Sequence, residues 1–446
     1  MTYQPVDEFS VEPSRTRVYE HGWQSWSPTT DYAVDATSYR PARPVNQTMS
    51  YRPGKPAPAT GFQGEGLLGV ASDDGEPARL YATIDGQTEV PSIRASYVDG
   101  RLRVSADGPV EAHSGPSLPD LLANWGDAFA RRVGATPLRS APTAWCSWYH
   151  YFTEVTEADI DENIEAFGKH DLPIDVVQID DGWQAEVGDW LALSDRFASL
   201  DGLVARIGGA GRRTGIWVAP FLVSARSETA RQHPDWLIAG SDGTPVGAGY
   251  NWDADMYALD TTHPGARAYL TEVFGWLRST GIDYFKVDFI YAGALDGVRY
   301  DGSDPLTAYR SGVELIHAAI GPESYYLGCG APILPSVGLF DAMRVSADVA
   351  PTYHPWDGDP SQPSQWGATI STVGRAWQHG RFWVNDPDCV IARPEVERRE
   401  QWAEVIDRFG GLRASSDRIA ALDDWGMATT RRLLSEVPPP TPFHLR

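Results

Sequence analysis

Two short segments carry charged side chains inside otherwise apolar runs: Asp283-Tyr284-Phe285-Lys286-Val287-Asp288-Phe289-Ile290 and Ala342-Met343-Arg344-Val345-Ser346-Ala347-Asp348. With the period-2 alternation of a strand, Phe285, Val287 and Phe289 share one face, and Lys286 and Asp288 share the other. Met343, Val345 and Ala347 likewise stand opposite Arg344, Ser346 and Asp348. Charge on one side of a strand that is apolar on the other is costly unless it borders a wet cavity. Each segment ends in an aspartate, and two carboxylates at strand ends are what glycosidic bond cleavage needs. Lys286 stands out further, because the chain has only three lysines (Lys55, Lys169, Lys286) against 34 arginines.

The elements that must position these groups recur along the chain. From about Pro137 onward, strand-like runs fall at 143–149, 174–180, 214–220, 283–290, 324–330, 342–348, 382–388 and 410–417, with helical patterns between them. Thr156 caps one helix, with Asp159 three residues on. Another spans 266–279, with Tyr269, Val273, Trp276 and Leu277 on one stripe. Strand–helix alternation repeated eight times predicts a (β/α)8 TIM barrel over 137–436. The wide gap before the fourth strand predicts a loop over the barrel mouth at 224–260, and the fifth-to-sixth connection is too short for a full helix. Residues 1–116, rich in Gly, Pro, Ser and Thr, read as an N-terminal β-sandwich-like module, 117–136 as a linking helix, and the Pro-rich 437–446 as a C-terminal tail.

In such barrels chemistry sits at the C-terminal strand ends. One strand-end aspartate commonly just caps the next helix, but here Asp180, Asp288, Asp348, Asp388 and Asp417 repeat the pattern and predict a cavity lined with carboxylates. If the second strand stops at Asp180, the chain turns at Asp181-Gly182 and both carboxylates reach it, placed to accept from neighbouring sugar hydroxyls. The ten histidines have no zinc spacing and no acidic loop has calcium-binding form, so neither a metal nor a cofactor is expected. Asp301-Gly302-Ser303-Asp304 and Trp356-Asp357-Gly358-Asp359 read as turns. There is no phosphate loop and no Gly-x-Ser-x-Gly elbow.

The chain resembles glycoside hydrolase family 36, the retaining α-galactosidases. The matching pieces are Trp145-Cys146-Ser147-Trp148-Tyr149, Asp180-Asp181-Gly182-Trp183, Gly215-Ile216-Trp217-Val218-Ala219-Pro220-Phe221, Lys286-Val287-Asp288, Gly328-Cys329-Gly330, Arg344-Val345-Ser346-Ala347-Asp348 and Asn385-Asp386-Pro387-Asp388. The resemblance implies Asp288 as nucleophile and Asp348 as acid/base. It also implies Tyr149, Asp180, Asp181, Trp217, Lys286, Cys329 and Arg344 as sugar contacts. His21-Gly22-Trp23-Gln24-Ser25-Trp26-Ser27 is similar to a family segment whose tryptophan closes over the sugar, a role assigned to Trp26. The implied substrates are α-galactoside oligosaccharides such as melibiose or raffinose. Two departures stand out: the β module is short, and little or no C-terminal β domain follows the barrel. An α-glucosidase, α-xylosidase or α-N-acetylgalactosaminidase of the same clan, a galactosyl transglycosylase and a non-catalytic carbohydrate-binding protein are the alternatives. Lys286 favours the ionised form of Asp288, and the negative Asp288 would raise the pKa of Asp348. Arg344 would lower that pKa if it pointed at Asp348, and is expected to face a substrate hydroxyl or Asp288 instead.

Composition bounds the setting. A net charge of -23 argues against nucleic acid and anionic membrane as partners. No run of about 18 apolar residues suggests a membrane span. The start lacks the basic and apolar regions of a signal peptide, and Cys146, Cys329 and Cys389 are scattered. A reduced cytoplasmic location follows as the expectation, with a homo-oligomer left open. Seventeen tryptophans supply flat apolar faces of the kind that suit sugar rings, although most are expected in cores. The acidic, lysine-poor composition fits either a salt-rich cytoplasm or GC-rich coding. The two diverge in a thermal melt: a halophilic protein gains many degrees between low and molar KCl, where the Debye length falls to about 3 Å. A flat or falling melting temperature over that range leaves coding bias as the account.

Overall fold

The computed structural model describes residues 2–41, 43–135 and 138–444. All eight expected barrel strands form, shorter than their apolar runs: Ala144–Cys146, Val176–Ile179, Arg213–Val218, Tyr284–Val287, Tyr325–Gly328, Ala342–Arg344, Val384–Asp386 and Ala414–Ser415. They make one parallel sheet in chain order, with the eighth strand beside the first. The seventh and eighth are joined more loosely, through the Asn385 carbonyl, which accepts from Gly411 N (3.0 Å) and Leu412 N (2.9 Å). Almost every strand residue is buried, as in parallel sheets covered on both faces. Register sets Trp217 beside Lys286 and Arg344 beside Asp386. The helix Glu157–Lys169 starts in the expected capping box of Thr156 and Asp159. The helix Pro264–Ser279 buries Leu270, Val273, Phe274 and Leu277, while the expected stripe residues Tyr269 and Trp276 are only partly buried. The fifth-to-sixth connection holds a single 3-10 turn, Leu334–Ser336.

The 224–260 stretch is not a plain loop. With the preceding Leu222–Val223 it folds into a three-stranded antiparallel sheet from Leu222–Ser224, Gly247–Asn251 and Ala254–Ala258. Trp252 and Asp253 (φ 50° and 55°) make its two-residue turn, the left-handed pair that a tight hairpin requires.

The N-terminal residues form two antiparallel sheets. One has four strands and the other five, with Val18, Phe62, Leu68, Tyr81, Ile93 and Leu102 packed in a common core. The sequence predicts strand-like pieces at 66–71, 78–84, 93–97 and 102–105, which form as Leu67–Ser72, Ala78–Thr83, Ser92–Val98 and Arg101–Ala106, but not Gln4–Ser10, Thr16–Glu20, Thr30–Ala33, Phe62–Glu65 and Val110–Gly115, whose apolar alternation is weak. Helix Leu118–Arg132, capped by the Ser117 hydroxyl, follows and presses Leu122, Trp125 and Phe129 inward. Trp125 stacks on Phe129 (4.9 Å) and meets Trp377 and Phe382 of the barrel edge-on. The expected linker boundary at 136–137 and the tail's last two positions, 445–446, lie outside the described residues. The rest of the tail packs on the barrel, with Phe443 stacked on His379 at 4.0 Å.

A buried guanidinium locks the module to the barrel. Arg375 donates to the carbonyls of Ser25 (2.7 Å), Gln24 (2.9 Å), Gly22 (3.4 Å) and Val345 (2.8 Å), the last just past the sixth barrel strand. Among the described residues no carboxylate pairs with it, and burial pulls its pKa down to about 9. Arg375→Met leaves the Ser25, Gly22 and Val345 carbonyls to find other donors, while Gln24 O keeps Ser27 N (2.9 Å), at about 1–3 kcal/mol for each that finds no other partner. The unfolding free energy from urea titration should drop by several kcal/mol, whereas Arg418→Ala, which breaks a half-exposed ion pair with Glu162, should cost about 1 kcal/mol or less. Equal losses would show that Arg375 does not hold the seam.

Candidate active site

At the C-terminal ends of the strands lies a cavity of about 240 Å³. Asp288 and Asp348 both open onto it, with Lys286, Asp180, Asp181 and Trp217. The strand Tyr284–Val287 delivers Lys286 on its inward face, and the chain then leaves strand geometry: Phe289 takes a left-handed φ of 52°. The period-2 reading therefore fails at Phe289, which turns from the expected core face to the cavity wall, whereas Phe285 and Val287 are buried in the core. The same turn brings Phe289 N–H onto Asp288 Oδ1 at 2.7 Å. Trp217 Nε1 donates to Asp288 Oδ2 (3.0 Å), and Lys286 Nζ stands 3.8 Å from that oxygen. Two N–H donors and the Lys286 ammonium thus face the Asp288 carboxylate. Burial disfavours the charge on Lys286, but Asp180 and Asp288 outweigh it and raise its pKa well above the usual lysine range.

Asp348 has a different setting. Arg344 Nη1 donates to its Oδ1 at 3.0 Å, so the expectation that Arg344 faces a hydroxyl or Asp288 is corrected. Burial still carries the Asp348 pKa up to about 7: Arg344 pulls against this, and the Asp388 and Asp288 charges add to it. Its side chain is 31% exposed on the cavity side, far more than Asp386 or Asp388.

Asp180 and Asp181 both reach the cavity, as the turn at Gly182 requires. Gly182 has a φ of 114°, and a Cβ there would sit 2.5 Å from the Thr153 carbonyl. Asp180 Oδ2 accepts from Gln178 (2.6 Å), Lys286 (3.1 Å) and the Cys146 thiol (3.4 Å). Asp181 accepts from Gln184 (2.6 Å) and the Trp252 indole (2.7 Å). Burial, seconded by the Asp180 charge, pushes the Asp181 pKa up to about 6.

Four expected sugar contacts do not line the cavity. Tyr149 is buried, with its hydroxyl donating to Asp388. Arg344 is buried too, its donors taken by Asp348, Asp386 and Asp388. Cys329 is fully buried. Trp26 backs the wall, edge-on to Phe289 at 4.9 Å, because the N-terminal segment enters behind that ring. Asp388 and Asp417 do not join the expected carboxylate lining either. Asp417 is spent on Ala392 N (2.6 Å) and Arg393 (2.7 Å), and Ser346 on the Pro387 carbonyl (2.8 Å).

The cavity also takes Trp148, Asn251, Trp252 and Pro363, which sequence reasoning missed. Trp148 lies inside a quoted motif, where the first strand stops at Cys146 and a helical turn swings it inward. For Trp252 the available signal was an aromatic-rich segment placed over the mouth.

The Melibiase family model matches residues 139–303. Alpha-galactosidase AgaA of Geobacillus stearothermophilus is 30% identical over 190 residues, 40% of this chain and 25% of that protein. The matched stretch spans only about a quarter of the curated relatives' length. Among solved structures, the GH36 alpha-galactosidase AgaA superposes with a TM-score of 0.65 at 14% identity, covering 96% of this chain and 61% of that one. The alpha-galactosidase TtGalA from Thermus thermophilus, in complex with p-nitrophenyl α-D-galactopyranoside, superposes with a TM-score of 0.81 at 30% identity, covering 97% of this chain and 89% of that one. With a likeness that takes in nearly the whole of both chains, this chain belongs to glycoside hydrolase family 36, the α-galactosidase family.

Proposed function

We propose that this protein is a retaining α-galactosidase that removes terminal α-D-galactosyl residues from oligosaccharides through a covalent glycosyl-Asp288 intermediate. The carrying observation is that Asp288 and Asp348 share one cavity in different electrostatic settings, the first facing two N–H donors and the Lys286 ammonium and the second with its pKa pushed up to about 7. Asp288 attacks the anomeric carbon, the glycosidic bond breaks, and Asp348 gives its proton to the leaving oxygen. Asp348, now a carboxylate, then takes a proton from the water that hydrolyses the glycosyl ester, and two inversions at the anomeric carbon leave its configuration retained.

The cavity, smaller than the roughly 300–1,000 Å³ of drug-sized sites, suits a single sugar ring. Trp148, Trp252 and Phe289 offer apolar faces to C–H groups, and Asp180 and Asp181 offer acceptors to adjacent hydroxyls. The reading extends to a cytoplasmic enzyme acting on sugars such as melibiose or raffinose. It is supported by three buried cysteines that remain thiols. Among the described residues, no helix is long and apolar enough to cross a membrane.

A panel of nitrophenyl glycosides tests the sugar assignment. kcat/KM should be highest on the α-galactoside, and a higher value on the α-glucoside, α-xyloside or α-N-acetylgalactosaminide overturns it. Asp288→Ala should lose about a thousandfold or more in kcat, with partial recovery in azide. Retention of about a tenth of wild-type activity excludes Asp288 as nucleophile. Asp348→Ala should lose about 10²–10⁴-fold on raffinose and far less on nitrophenyl galactoside, which leaves without protonation. Equal losses on the two substrates count against an acid/base role. Asp348 must hold its proton to act, so kcat/KM on raffinose should fall as pH rises through about 7.

A further inference from the structure

Arg344 faces three carboxylates at once: Nη1 to Asp348 Oδ1 at 3.0 Å, Nε to Asp386 Oδ2 at 3.1 Å and Nη2 to Asp388 Oδ1 at 2.8 Å. A guanidinium devoted to Asp348 alone would favour its anion and take away the proton that the acid must carry. Asp388 opposes this: burial raises its own pKa, and Arg344 and its hydrogen-bond donors pull it back toward the anion. Its oxygens accept from Arg344, Cys389 N (2.7 Å), Val349 N (2.8 Å) and the Tyr149 hydroxyl, so donors occupy its acceptor sites and a carboxyl proton would have to point at one of them. Its backbone holds a φ of 94°, rare for a residue with a side chain and a mark of a position kept for its role. The Asp388 N–H is in turn fixed by Asp386 Oδ1 at 2.9 Å.

We propose that Asp388, assisted by Asp386, is a positioning residue that keeps the acid/base Asp348 protonated by dividing Arg344 among three carboxylates and by repelling negative charge there. The inference rests on Asp348 being the acid/base. The other charged or titratable groups bearing on Asp348 and Arg344 are Asp288 and Lys286 of the fourth strand's end, Cys329 after the fifth strand and Tyr149 after the first. Asp288 adds to the repulsion, and Lys286 opposes it. The Cys329 and Tyr149 pKa values are both raised well above their usual range, mainly by burial, so both stay neutral. Asp348, the most exposed of the three carboxylates on Arg344, is the one left to take a proton from solvent.

The test is the pH profile of kcat/KM on raffinose and on nitrophenyl galactoside for Asp388→Asn, with Asp386→Asn as a second variant should the first not fold. Each substitution removes a negative charge and leaves Arg344 freer for Asp348, which lowers the Asp348 pKa. The alkaline limb on raffinose should therefore move down by about one pH unit or more, while nitrophenyl galactoside, whose leaving group needs no proton, loses less at neutral pH. A purely structural role lowers activity by the same factor at every pH. An unmoved limb in whichever variant folds overturns the proposal. If instead Asp348→Ala harms both substrates equally, it is the acid/base assignment beneath it that fails.

Discussion

The barrel mouth must hold more negative charge than its space tolerates. Asp180, Asp181, Asp288 and Asp348 line one small cavity, with Asp386 and Asp388 behind it. Two like charges about 4 Å apart repel by about 4 kcal/mol at the effective dielectric of a protein near its surface. Buried cations and raised pKa values are what make the arrangement stable. Lys286 divides its charge between Asp180 and Asp288, and Arg344 between Asp348, Asp386 and Asp388. Each cation sits on a barrel strand, Arg344 in register with Asp386 and Lys286 beside Trp217. The parallel ladder is thus also an instrument for spacing charge. The residual imbalance falls on Asp348, the one of these carboxylates with most access to water, whose pKa is pushed up to about 7.

The cavity wall depends on a second, distant constraint. Phe289 is backed by Trp26, and the segment carrying Trp26 is held to the sixth strand's end by Arg375. A cation placed among backbone carbonyls instead of carboxylates adds no negative charge near an already crowded site. The sandwich module therefore acts on the active site from behind, by fixing the depth of an aromatic ring.

Much of this was legible in the sequence for one physical reason: strands covered on both faces are nearly continuous apolar runs, and any charge in them is conspicuous. All eight barrel strands, Lys286, and the paired Asp288 and Asp348 were found this way. What was missed lies where regular geometry ends. Phe289 leaves the strand period through a left-handed residue, Trp148 sits on a helical turn, and Trp252 on a hairpin tip, so no periodicity announces their direction. Tyr149, Cys329, Arg344 and Trp26 stand behind the cavity wall and do not line it. A motif records proximity, and whether a side chain faces the ligand or the groups behind it depends on partners from other strands.

The turn at Trp252-Asp253 pits two demands against each other. Both residues occupy left-handed backbone, which costs a residue with a Cβ about 1–2 kcal/mol relative to glycine. The tryptophan that stands there walls the cavity and ties its indole to Asp181. Selection for heat tolerance alone would therefore drift toward glycine at this tip, trading the aromatic wall for a relaxed hairpin. An engineer ranking variants by melting temperature would be led to dismantle the cavity wall at a place where its shape depends on strained backbone.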